Sequence, residues 1–388
     1  MVDIASLYER LARAVMLESD DAAIRVRAEY EPQAGPAAKV FPPTYLEREG
    51  TKYHFERRWR QDGSAAEVVV LDSYQSQANR CEAALARVAS ELGLPRLLLR
   101  YAVNGMLVEI SSLEAPHRSR DAYFLDSTVN GARFDQTEVG KALDSTTLAD
   151  LSAYLRYAPT DLVYGVWDSH RGKRIALKFA RAYTSEMLGW EPERGKRAAT
   201  KGDPLNLPGA EEVDTRDWRA AGTSVKSGKA KSKLSDLGHG MVPGEPDPTI
   251  GGVSVRSITR LGVLSLTGLA RHEFGGDEQK ARAGRAALAA LGLLGDRLAF
   301  GLAGIHLRSG CDLVLKQDAM EWVSRGGRTE PLELAEDEAR RLLAHARERL
   351  EAAGVAWSPE PVVMEPSPAL ARAIEGVLTA RGVGPVED

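Results

Sequence analysis

From Ala23 to Tyr30 apolar and charged residues alternate (AIRVRAEY), the two-residue period of a half-exposed strand. Before it, Ile4, Leu7, Leu11 and Val15 recur at helical spacing, which predicts a short amphipathic helix over 4–18. Val68-Val69-Val70-Leu71 is a continuous apolar run, the pattern of a central strand. Cys81, Leu85, Val88 and Leu92 then share one helical face, with Ser76 as the expected N-cap. Further strands are expected near 107–113, 162–168, 251–256 and 305–315. An Ala/Leu helix is expected from Lys280 to Leu294, ending near Gly295. A second amphipathic helix follows from Ala335 to Gly354, and a short last helix follows the prolines at 359–368. Strands interspersed with helices predict an α+β fold with one principal sheet.

Polar and basic residues gather where the strands end. Leu162-Val163-Tyr164 reads as a buried strand that runs into Gly165-Val166-Trp167-Asp168-Ser169. His170, Arg171, Lys173 and Arg174 follow at once, with Lys178 and Arg181 close behind. Phosphate oxygens call for Arg and Lys, and unstacked bases call for aromatic or guanidinium planes. The same residues also fit a strand followed by a solvated basic loop.

Two other junctions share this chemistry. The segment 72–80 (DSYQSQANR) joins a strand to a helix, where free backbone N–H groups favour an anion. Ser76, Gln77, Asn79 and Arg80 are its candidate contacts. Capping alone accounts for Ser76, and Arg80 either meets a phosphate or braces the helix through Asp72 or Glu82. The loop after strand 107–113 carries His117, Arg118 and Arg120, again a phosphate contact or a structural loop. Arg308 either joins this basic surface or pairs with Asp312.

Composition narrows the picture. The chain has 388 residues, 43% hydrophobic and 27% charged, within the soluble globular range. Its net charge is −4, so any nucleic-acid surface must be local. Cys81 and Cys311 form no Cys-x-x-Cys pair, so neither a disulfide framework nor a zinc site is expected. No cofactor or metal is implied. No apolar run approaches the roughly 20 residues of a membrane span, and the N-terminus lacks a signal-peptide pattern. A cytoplasmic location is expected.

Residues 191–248 are poor in apolar side chains and rich in Gly, Pro, Lys, Arg and Asp. Lys196, Arg197, Lys229, Lys231, Lys233 and His239 lie there. Such a stretch buries little surface, so it is expected to project as a mobile basic insertion or to serve as a linker. The excursion 32–63, broken by prolines, carries a charged tip at Arg57-Arg58-Trp59-Arg60. The expected organisation is 1–190, the insertion 191–248, a return at 249–330, and a helical extension at 331–388.

Six motifs in fixed order resemble one family: DSYQSQANR (72–80), APHRSRDA (115–122), LVYGVWDSHRGKR (162–174), RAYTSEMLGW (181–190), SDLGHG (235–240) and LRSGCDLV (307–314). The chain is similar to the backbone RAMP subunit, of the Cas-seven class, in type I-G (formerly I-U) CRISPR surveillance complexes of the Cascade kind. The resemblance implies an RRM-like, ferredoxin-type palm with finger and thumb-like insertions. It implies a non-catalytic subunit that polymerises along CRISPR guide RNA, with the target DNA strand pairing to that guide. Its implied partners are further copies of itself, a large subunit, a guide-end-capping and processing subunit, and a recruited helicase-nuclease. One departure stands out: no RNP aromatic pair is visible on a strand, so basic loops gripping the RNA backbone are the expected mode.

Two enzyme readings compete. An RNA-guided RNA nuclease would use a loop aspartate and a divalent metal, and Asp72, Asp121, Asp168, Asp203 and Asp236 are loop candidates. No carboxylate cluster at metal-ligand spacing accompanies them. A metabolic hydrolase would need a frame such as Gly-x-Ser-x-Gly or His-Glu-x-x-His, and the sequence has neither.

Overall fold

The alternating segment forms a long strand, β1 (Asp21–Pro32), with Ile24, Val26, Ala28 and Tyr30 buried on one face. Arg25, Arg27 and Glu29 alternate with them and stand on the other face. The computed structural model describes residues 3–45, 52–60, 62–103, 105–168, 177–196, 202–218, 231–241, 249–358 and 360–380. The protein is α+β.

Around β1 lie β2 (Phe55–Trp59), β3 (Ala65–Asp72), β4 (Tyr183–Trp190), β5 (Ser257–Ser265), β6 (Gly304–Arg308), β7 (Cys311–Ser324) and β8 (Thr329–Pro331). They form an antiparallel sheet in the order β6-β7-β1-β5-β4-β3-β2, with β8 pairing β7. Four of these strands, β7-β1-β5-β4, have the spatial order of a split βαβ unit. Helix α2 (Tyr74–Val88) lies in the crossover from β1 to β4, and α4 (Glu278–Phe300) in the crossover from β5 to β7.

Helix α4 is apolar on nearly every side, from Ala281 to Leu298, as a helix wrapped by protein must be. Helices α1 (Ile4–Ala14), α2, α3 (Pro159–Tyr164) and α5 (Glu336–Ala352) pack around it. Where α4 meets the sheet, Asp296 binds Arg260, Arg297 and Tyr183, and Arg297 also binds Asp318. Arg260 and Asp296 are fully buried.

A second sheet has the order Met106–Ser111, Leu97–Val103, Val362–Pro366, Ser127–Val129, Ala132–Arg133. Its middle strand comes from the C-terminal part of the chain and runs parallel to Leu97–Val103. The described part of 191–248 includes a small antiparallel pairing of Glu212–Asp214 with Lys231–Lys233.

Several elements differ from the periodicity reading. Leu162-Val163-Tyr164 is helical, because Pro159 starts α3 at its first turn and Gly165 ends it at φ 84°. Three apolar residues carry no period, so their neighbours decided the matter. Gly295 lies inside α4: a Cβ there would sit 2.1 Å from the Tyr164 hydroxyl. That glycine permits close helix packing and stops nothing. The expected strand 305–315 is a hairpin, β6 and β7, turning at Ser309-Gly310. The expected strand 251–256 is reduced to Val253–Ser254, paired antiparallel with Glu193–Arg194, and the long strand β5 starts at Ser257. The N-cap of α2 is Ser73, whose side chain accepts from the Ser76 N–H at 3.4 Å, and not Ser76 itself.

Candidate nucleic-acid interface

The site grows from the end of α3. Beyond Gly165 the chain enters a strand, Val166–Asp168, paired antiparallel with Leu177–Phe179. Trp167 stands directly opposite Lys178 in that register. Directly opposed residues share a face. The Lys178 ammonium accordingly lies 5.7 Å from the centre of the Trp167 ring, and Trp167 is 58% exposed. A Cβ on Gly165 would meet the Phe179 carbonyl at 3.0 Å, so the two strands close only over a glycine.

A loop from the second sheet completes the site. Asp121 accepts from the N–H groups of Tyr123 and His117, both at 3.1 Å, and this turns the loop and leaves His117 exposed. Arg118 takes a left-handed φ of 52° and sends its guanidinium inward. There it donates to Glu82 at 2.6 and 2.7 Å and to the Gly165 carbonyl at 2.8 Å.

Between loop and hairpin lies a cavity of about 300 Å³ lined by His117, Arg118, Trp167, Phe179, Lys178 and Arg181. Arg181 is half-buried, and its Nε makes no hydrogen bond. Burial, then the Arg118 charge, holds its pKa below the usual arginine value. An anion seated there would meet the Arg181 guanidinium, the Lys178 ammonium and the Trp167 face together.

Five candidate residues thus converge: His117, Arg118, Trp167, Lys178 and Arg181. Ser169, His170, Arg171, Lys173 and Arg174 fall between the two strands and lie outside the described residues, as do Arg197 and Lys229. Lys196, Lys231, Lys233 and His239 are exposed, and His239 packs edge-on against Trp218 at 5.0 Å.

The remaining candidates have other work. Gln77 is fully buried: its amide donates to Asp72 at 2.6 Å and accepts from Ser185 and Arg260. Arg80 donates to Asp72 at 2.8 Å and to the Leu307 carbonyl at 3.0 Å, so it braces the helix. Arg308 lies 3.6 Å from the same carboxylate, Asp72, and donates to the Leu71 carbonyl; its expected partner Asp312 binds His306 instead. Arg120 is buried and pairs with Asp144 at 2.7 Å. Buried, paired guanidinia are not a surface for phosphate, which corrects the expectation for Arg118 and Arg120. Asn79 is exposed on α2, and Ser76 is half-buried. The sequence reading missed Glu82, Gly165 and Phe179. Of these only Gly165, next to an aromatic strand and after Pro159, left a local signal.

Four of the five loop aspartates are occupied as well. Asp72 is buried under Arg80, Asp121 caps its turn, and Asp203 accepts from the N–H groups of Leu205 and Leu207. Asp236 accepts from the Ser232 hydroxyl at 3.3 Å.

Beneath the loop, Ser119 donates to the buried carboxyl of Asp161. Burial raises the pKa of Asp161 to about 7, opposed by the Ser119 bond and by Arg118. A carboxyl whose folded pKa exceeds its unfolded value of about 3.9 stabilises fully below that lower value. The contribution is lost as pH rises through 7. Asp161→Asn keeps a neutral partner for Ser119. Its melting temperature relative to the native chain should therefore rise from pH 5 to pH 8. A constant difference would show that Asp161 does not titrate in this range.

A family model described as CRISPR-associated protein GSU0053 (Cas_GSU0053) matches residues 24–193. Over that stretch the chain is similar to a CRISPR-associated family. The match spans β1 to β4 and includes every lining residue of the cavity. Among curated proteins none matches the chain. Among the described residues, no helix is long and apolar enough to cross a membrane.

Proposed function

We propose that this protein is a CRISPR-associated, non-catalytic subunit that binds guide RNA through its backbone and polymerises along it. In this reading the split βαβ sheet is the RRM-like palm, 191–248 is the thumb-like insertion, and the assembled filament is the backbone of a DNA-targeting complex. Its partners are guide RNA, target DNA, further copies of itself, the other subunits of the complex and a recruited helicase-nuclease. The observation that carries the reading is the cationic cavity, where Lys178 and Arg181 stand beside the exposed Trp167. A fixed grip on changing guide sequences must take phosphate and sugar, which is what two cations and one ring face offer. Four loop aspartates held by structural hydrogen bonds count against the nuclease reading.

Unrelated single-stranded RNAs of equal length should bind alike, within the roughly 1–3 kcal/mol of one base-specific contact. Lys178 is exposed, so Lys178→Ala should fold normally. It should weaken every RNA by a similar factor and flatten the slope of log affinity against log salt by about 0.7. Strong sequence discrimination, or a chain that binds no RNA alone or in its complex, would sink the proposal.

A further inference from the structure

The open face of the principal sheet holds a second concavity. Arg27 stands opposite Leu261 and Ala319, Glu29 opposite Thr259 and Gln317, and Trp190 opposite Ser257. Opposed residues share a face, so all eight stand on the side away from buried Val26, Ala28 and Ile258. They line a groove of about 620 Å³, joined at one end by Trp59, Arg60 and Arg256. The groove shares no lining residue with the cavity at Trp167.

Its chemistry is specific. Trp59 is 76% exposed on an outer strand of the sheet, and Leu261 on the floor is 39% exposed. The Trp190 indole N–H donates to the Thr259 hydroxyl at 2.7 Å, which fixes the plane of its ring. The Arg60 guanidinium lies 5.8 Å from that ring. Arg60 and Arg256 share one carboxylate, Glu191, and the Arg256 side chain is 75% exposed. Two guanidinia on one carboxylate leave N–H donors and net positive charge at the rim. Across the lining, Arg27, Arg60 and Arg256 stand against Glu29 and Glu191, and the buried Arg260 is matched by Asp296 beneath.

We infer that this groove takes unstacked bases of a single-stranded nucleic acid, separately from the backbone grip at Trp167. Trp59 and Trp190 are the stacking planes, and Arg60 and Arg256 meet the flanking phosphates. Every base offers a π-face, so such a site tolerates any sequence, as a guide-binding protein requires. An apolar segment of another protein would fit the two rings but would strip water from the rim guanidinia without replacing it. The inference rests on the nucleic-acid reading above and adds a second site to it.

The test uses the full chain with oligouridylate and oligothymidylate of equal length, each carrying a photocrosslinking base. Affinity is measured, and crosslinked peptides are identified by mass spectrometry. Trp59→Ala should weaken binding roughly five- to hundredfold, and Trp59→Phe should restore most of it. Crosslinks should reach peptides carrying Trp59 or Trp190 and should persist in Lys178→Ala. Preference for oligouridylate would assign the groove to the guide, and preference for oligothymidylate to a DNA strand. Crosslinks confined to the Trp167 region, with Trp59→Ala unchanged in affinity, would overturn this site and leave the backbone grip standing. Loss of self-association in Trp59→Ala, with nucleic-acid affinity intact, would give the groove to a second copy and overturn the inference. Failure of any oligonucleotide to bind would end both readings.

Discussion

Asp296→Ala should destabilise the protein by about 3–5 kcal/mol, the usual cost of removing one partner from a buried ion pair. Asp296 lies on α4 where that helix meets the sheet, and it is fully buried. Burial alone would raise its pKa, but Arg260 and then Arg297 outweigh that and hold it well below the usual carboxylate range. The carboxylate is thus charged at any neutral pH. Without it, Arg260 stays fully buried with no carboxylate partner among those described. Gln77, Ser185 and the Phe300 ring, 3.7 Å from its guanidinium carbon, remain, but none carries a negative charge. Arg297 is spared the same fate because Asp318 still binds it. Urea unfolding should show a lower midpoint at an unchanged slope. Asp296→Asn, which keeps the acceptor and loses the charge, should fall between the two. A loss below roughly 1 kcal/mol in the alanine variant would mean that the network contributes no more than an ordinary surface pair.

The principal sheet was legible where one face is wet. The AIRVRAEY alternation of β1 has a single physical solution, and it is the observed one. Sequence was mute where strand neighbours are far apart along the chain. Leu97–Val103 and Val362–Pro366 lie side by side in the second sheet, and the latter sits among prolines that read as a spacer. The pairing between them joins residues more than 250 positions apart, and no local pattern records it. Leu162–Tyr164 failed for a different reason: three apolar residues fit helix or strand equally, and Pro159 with Gly165 tipped the balance.

The site divides the same way. Trp167, Lys178 and Arg181 were legible because an aromatic among cations is unusual in any local structure. The aromatic stacking surface was not, since Trp59 and Trp190 belong to strands on either side of β3 and come together only through the sheet order. Arg118 and Arg120 were misread because charge was taken as exposure. Their partners Glu82 and Asp144 are 36 and 24 residues away, and nothing near the arginines announces them.

That misreading makes a sharp experiment. Arg118→Ala should cost about 3–5 kcal/mol of stability, as breaking a buried pair does. The side chain is 10% exposed and Glu82 is 2% exposed, so the orphaned carboxylate would have no water to turn to. Glu82 already has its pKa raised by burial, with Arg118 opposing the rise. Removing Arg118 takes away that opposition, so the carboxyl should take up a proton at higher pH. The variant should therefore be least stable, relative to the native chain, on the alkaline side. The strained φ of 52° at Arg118 adds to the point. A left-handed arginine persists only where its contacts over-determine it, here two bonds to Glu82 and one to Gly165. Losing them should loosen the loop that presents His117. RNA binding by the fraction that remains folded should keep its salt slope, because Arg118 neutralises Glu82 and no phosphate. Lys178→Ala should do the reverse, with full stability and a flatter slope. An Arg118→Ala chain that melts normally but loses salt dependence would return Arg118 to the interface and overturn its structural role.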